Sequence, residues 1–238
     1  MSKQTTPREE FSVTVRWMHW IRFALIMWLI ATGFEIANPY LGTNPNVTAF
    51  QNFTVELVRG SHELAGLVLI AALLIRVYTM ILNREWRDGK VALSWKRWRS
   101  QLAYYLLLGP AYRHGESRYG PLQFVTYMIF YVMLVLISVT GLLLFGANYK
   151  AGGIGYFSYH DLGFLYPVFG GLAGARIWHH WLAWGIIVFV AVHVYMAFWN
   201  SIENKDGTLE SMVVGYKREQ GDETDLGASE AIERAKGG

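Results

Sequence analysis

His179 and His193 lie fourteen residues apart within one uncharged segment, Ile177 to Ile202. At about 100° per residue, a helix returns to within about 40° of the same face over that interval, while its axis advances about 21 Å. Two imidazoles therefore project the same way from one helix at two depths. His19 and His62 stand at the ends of two further apolar segments. Imidazole is a common metal ligand, and two histidines on opposite sides of one iron fill both axial positions of a haem. Four histidines in two depth-matched pairs would hold two haems stacked across a bilayer. With no open coordination site on either iron, the chemistry is electron transfer.

The elements that must position these residues are membrane helices. The 238 residues are 53% hydrophobic and only 16% charged, where a soluble domain carries nearer a quarter, and the mean hydropathy is +0.22. Tyr119 to Tyr149 and Ile177 to Ile202 each exceed the roughly 20 apolar residues needed to cross the hydrocarbon core as a helix. Hydropathy predicts four such helices, at about 17–37, 62–82, 121–147 and 177–202. They form an all-α, four-transmembrane-helix bundle between a short N-terminus (1–16) and a polar tail (203–238), the last twenty residues of which read as disordered. The polar start and the lack of a small-residue cleavage site after the first apolar run predict that this run is retained as a helix.

Orientation follows from the loops. Residues 83–120 hold eight Lys and Arg, whereas 38–61 holds only Arg59 and 148–176 only Lys150 and Arg176. The positive-inside bias predicts N-in/C-in topology, with the 83–120 loop in the cytoplasm and the other two loops outside, in the periplasm of a bacterium. The same bias accounts for the +3 formal charge and pI near 9 without a nucleic-acid partner. His62 and His179 then open the second and fourth helices from the outer side and form one pair. His19, near the cytoplasmic start of the first helix, matches the depth of His193. Taken singly, each could be an interfacial histidine satisfied by water or headgroups; it is the joint pattern that points to haem.

Several neighbours need placing. His180 is rotated about 140° from the face of His193, so His179 is the better ligand, and His180 is left to a propionate, a lipid or a partner. Arg76 falls fourteen residues beyond His62 on the same face, where it can either pair with a haem propionate or snorkel to the headgroups. His114 and His160 lie in predicted loops without depth-matched partners. Trp95, Trp98, Leu102 and Tyr105 recur at helical spacing beside Lys96, Arg97 and Arg99, which suits either an interfacial helix on the headgroups or packing beneath the bundle. Residues 152–174, rich in Gly and aromatics, read as an outer loop that either docks a partner or lies against the membrane. The chain has no cysteine, so thiolate-held clusters, c-type haem attachment and a nickel–iron centre are excluded within it.

RWMHW at 16–20, the helix-two histidine followed by LLIRVY at 73–78, WHHWLAWGIIVFVAVHVYMAF at 178–198 and SMVVGYK at 211–217 resemble the b-type cytochrome subunit of membrane-bound nickel–iron hydrogenases. The resemblance covers nearly the whole chain. It departs at His180, where many members have arginine, and at Gly120-Pro121, where many have Asn-Pro. It implies two b haems on His19, His62, His179 and His193, hydrogenase small and large subunits docked on the periplasmic face, and quinone reduction near the cytoplasmic haem, all in the bacterial inner membrane. Formate dehydrogenase gamma subunits and thiosulfate-reductase-type cytochromes share the diheme plan and define the alternative donors. A proton transporter using histidine relays is a third reading, disfavoured because Glu35 and Glu63 sit only near helix ends.

Overall fold

The structure, a computed structural model, describes residues 8–9, 12–40, 49–84, 95–105, 121–204 and 208–217. Four of its helices are long and apolar enough to cross a membrane: α1 (Val13–Ala37), α2 (Ala49–Leu82), α4 (Pro121–Asn148) and α6 (Gly171–Asn204). Between them lie the short helices α3 (Trp95–Tyr105) and α5 (Gly153–Tyr156), and α7 (Thr208–Val214) closes the described chain. The only strands among the described residues are the two-residue pieces β1 (Arg8–Glu9) and β2 (Tyr216–Lys217), paired antiparallel. His114 and the tail beyond residue 217 lie outside the described residues.

No more than 22% of any of the four apolar windows is buried within the protein. Leu64, Leu74, Trp181 and Val188 are all exposed. A water-soluble protein does not present apolar surface on that scale, whereas lipid tails solvate it. The chain is an integral membrane protein.

Residues Arg22–Phe189 form one compact unit. Its core is lined by Ala65, Leu69, Ala72 and Leu73 of α2, Leu134 and Leu143 of α4, and Ala175, Leu182 and Ile186 of α6. Within α2 these positions recur every three to four residues, the spacing of one helical face. The α4 helix starts with proline, whose missing N–H is no loss in the first turn, and the next amide, Leu122 N, donates to Oε1 of the fully buried Gln101 in α3 at 2.8 Å. Helix α3 thus caps α4 while leaving Trp95 and Leu102 exposed.

Helix α2 begins at Ala49, well before the predicted start at 62. Gln51, Asn52, Glu56 and Arg59 lower the local hydropathy but do not break a helix, and Arg59 pairs with Glu56 one turn back at 3.2 Å. Similarly α6 begins at Gly171 rather than 177. His62 and His179 therefore sit inside their helices instead of opening them. Residues 153–169, read from sequence as a loop, are a chain of helical turns: α5, a π turn (Phe157–Asp161) and two 3-10 turns (Gly163–Leu165, Pro167–Phe169). Gly146 allows the π turn to press on α4, since a Cβ there would fall 2.8 Å from the Ser158 carbonyl carbon. Tyr166 donates its hydroxyl to the Leu143 carbonyl at 2.7 Å. Burial, helped by Tyr159, pushes the Tyr166 phenol up.

The second unit comprises Met1–Ile21 and Val190–Gly238. Here α7, unrecognised in the polar tail, packs back on the start of α1: the Arg16 guanidinium and the Trp20 indole donate to the carbonyls of Val213 and Met212 in its last turn. Gly215, at φ 94°, turns the chain into β2 with the Arg16 guanidinium against its Cα, where a Cβ would meet it at 2.9 Å.

Candidate functional site

Each unit brings one pair of the predicted histidines together. In the 22–189 unit, the rings of His62 (α2) and His179 (α6) have centroids 6.4 Å apart and planes inclined at 66°. In the other unit, His19 (α1) and His193 (α6) have centroids 6.3 Å apart at 49°. All four side chains are half-buried.

These separations can be compared with what a shared metal requires. Metal–imidazole bonds of about 2.0–2.1 Å, with about 1.1 Å from nitrogen to ring centre, put two trans imidazoles about 6.2–6.4 Å apart between centroids. Both pairs meet that value. Among the described residues no cluster of three or more His, Asp or Glu could hold a bare metal ion. Two nitrogens per metal are what an iron already held by four porphyrin nitrogens needs, and the residues fit that group.

Around His62 and His179 the surroundings are built by residues that the sequence reading passed over. Thr32 Oγ1 of α1 lies 2.8 Å from His62 Nδ1, and Thr140 Oγ1 of α4 lies 3.0 Å from His179 Nδ1. Both threonines are buried. Each is followed by glycine: a Cβ on Gly33 would stand 3.4 Å from His62 Cε1, and one on Gly141 3.3 Å from His179 Cε1. The detectable signal was a Thr-Gly pair recurring in two otherwise apolar segments, at 32–33 and 140–141. Next to His19, Trp20 sets its ring edge-on at 5.4 Å.

His180 is exposed and turned to its own helix, where Trp184 Nε1 donates to its Nε2 at 3.2 Å. His160 is also exposed and packs between Tyr156 and Tyr159, at 4.3 and 5.0 Å. Arg76 Nε donates to the Tyr131 hydroxyl at 3.2 Å, beside an apolar groove of about 270 Å³ between α2 and α4 that Met80 and Met128 also line. Tyr131 is thus a partner for Arg76 that the sequence did not suggest.

Comparison with known proteins extends beyond the histidines. The profile of the family described as prokaryotic cytochrome b561 matches residues 10–215. A probable Ni/Fe-hydrogenase B-type cytochrome subunit of Azotobacter vinelandii is 31% identical over 225 residues, covering 90% of each chain. One from Cupriavidus necator is 30% identical over 217 residues, covering 87% of this chain and 85% of the relative. A probable Ni/Fe-hydrogenase 1 B-type cytochrome subunit of Escherichia coli is 27% identical over 213 residues, covering 87% and 89%.

Proposed function

The chain belongs to the prokaryotic cytochrome b561 family, a family of helical membrane proteins that bind b-type haem, and from that premise we propose that it is the membrane electron-transfer subunit of a nickel–iron hydrogenase, passing electrons through two b haems to quinone. His62 with His179 would hold one haem, and His19 with His193 the other. The observation that carries this reading is the pair of imidazole separations, 6.4 and 6.3 Å, each at the spacing of two ligands on one iron. A haem held by two imidazoles supplies a one-electron relay with no site open to substrate. The protein's own share is to fix the imidazoles, exclude water with apolar helices and carry the relay through lipid on α6, one unbroken helix bearing both His179 and His193.

The donor is proposed from the relatives, whose printed names attach them to Ni/Fe hydrogenase. The positive-inside bias supports an orientation with both termini in the cytoplasm, and the proposed membrane is the bacterial inner membrane. His62 and His179 then lie toward the periplasm, where the hydrogenase subunits would dock, and His19 and His193 lie toward the cytoplasm, where quinone would be reduced. In membranes holding the complete complex, hydrogen should reduce the haems and added quinone reoxidise them. His193→Ala should abolish hydrogen-to-quinone transfer while leaving hydrogen oxidation by a soluble dye intact. Retention of full quinone reduction by that variant would overturn the proposed route.

A further inference from the structure

Thr32 and Thr140 are each committed by their own helices before they meet a histidine. Thr32 Oγ1 lies 2.7 Å from the Trp28 carbonyl oxygen, and Thr140 Oγ1 lies 3.0 Å from both the Leu136 and Ile137 carbonyls. Carbonyl oxygens bring no proton, so each hydroxyl's single proton occupies that contact. The hydrogen between Thr32 Oγ1 and His62 Nδ1, and between Thr140 Oγ1 and His179 Nδ1, must then belong to the imidazole. Both rings are held as the Nδ1–H tautomer, leaving the lone pair on Nε2, the nitrogen free to bind a metal.

Two features set these contacts apart from ordinary threonine back-bonding in membrane helices. Thr126 also bonds its own helix, at 2.7 Å to the Leu122 carbonyl, but makes no hydrogen bond to a described histidine. The arrangement also occurs twice, from helices that contribute no histidine to the pair, each time with a glycine next in sequence that admits the ring edge. Thr32 is 6% exposed and Thr140 fully buried, so water is kept from both hydroxyls.

We propose that Thr32 and Thr140 are positioning residues that fix the tautomer and rotation of His62 and His179 and lower the reduction potential of the iron these histidines share. The inference rests on the reading of His62 and His179 as haem ligands. An N–H that donates to a fixed acceptor leaves its ring a stronger electron donor through the other nitrogen, and a stronger donor favours ferric over ferrous iron.

The test is a redox titration of the haem-loaded full chain in membranes, followed by optical and electron paramagnetic resonance spectra, for Thr32→Val, Thr140→Val, the corresponding Ser variants, and Thr126→Val as control. Each Val variant at 32 or 140 should raise one of the two midpoint potentials and leave the other in place. Outer-sphere partners change metal affinity by about 10–100-fold, and a tenfold change in ferric preference is about 59 mV for one electron. Serine should restore the wild-type value, and Thr126→Val should move neither potential. If a Val variant loses one haem and its Ser variant retains both, the hydroxyl is again the group responsible. Unmoved potentials with both haems present, or the same change in Val and Ser, would overturn the positioning role while leaving the ligands standing. Full haem retention in both His62→Ala and His179→Ala would instead overturn the ligand reading beneath it.

Discussion

The Trp20 indole donates to the Met212 carbonyl at 3.0 Å while its ring meets His19 edge-on at 5.4 Å. A single side chain thereby ties α7, in the polar C-terminal stretch, to one of the two histidine pairs. The last carbonyls of a helix need such donors, and Arg16 supplies a second at Val213.

Removing that tie should affect one pair only. Truncation after residue 204 is expected to lose or weaken the haem proposed for His19 and His193 and to spare the one proposed for His62 and His179. Trp20→Phe should show a milder form of the same effect, since one exposed hydrogen bond contributes only about 0.5–1.5 kcal/mol. Haem content per chain, with the two low-spin signals resolved, decides the matter. Equal loss of both would contradict it.

On α6, His179→Ala should lose one haem and His180→Ala should keep both, because the His180 ring is engaged with Trp184 and it is the His179 ring that faces His62. A pyridine haemochrome assay of the two variants reads this directly. Loss of haem from His180→Ala alone would show that the ring facing His62 is not the ligand.

Gly141→Ala introduces a methyl 3.3 Å from His179 Cε1, tighter than ordinary van der Waals contact. The ring must rotate or shift, so the low-spin resonance signal of that haem should move while the other stays. Gly33→Ala, at 3.4 Å from His62 Cε1, should give a smaller displacement. Identical wild-type spectra in both variants would contradict the close packing of the rings on these helices.

Gly146→Ala should be more costly to the fold than to the haems. Its Cβ would meet backbone atoms of Ser158 and Tyr159 at 2.8 Å, and backbone cannot swing aside as a side chain can. Overpacking of this kind costs about 1–3 kcal/mol. Tyr166→Phe, which removes the bond to the Leu143 carbonyl, should cost about 0.5–1.5 kcal/mol. Thermal unfolding in detergent should rank Gly146→Ala below Tyr166→Phe, and both below the unaltered chain.

The four spans were legible because apolar runs of that length have one use, and the histidine pairs because a helix repeats its face at a fixed interval. The extension of α2 to Ala49 was hidden, since Glu56 and Arg59 make a good helix but a poor membrane segment. Hydropathy measures only the second property. The turns at 153–169 were hidden by glycines, which announce loops yet here permit the close approach of the π turn to Gly146. The Thr-Gly pairs at 32–33 and 140–141 stand in the sequence, but the partners of Thr32 and Thr140 do not. Which hydroxyl meets which imidazole depends on how helices pack side by side, and helical periodicity describes each helix alone. The Arg76–Tyr131 bond escaped notice on the same ground.

Haem counted per polypeptide, in the purified full chain and in His19→Ala and His62→Ala, reads the two proposed bis-histidine sites one at a time. Two b haems are expected for the unaltered chain, one for either single variant, and none when both substitutions are combined. One haem in the unaltered chain, or a single variant that keeps two, would contradict the assignment of these four histidines to two bis-histidine sites.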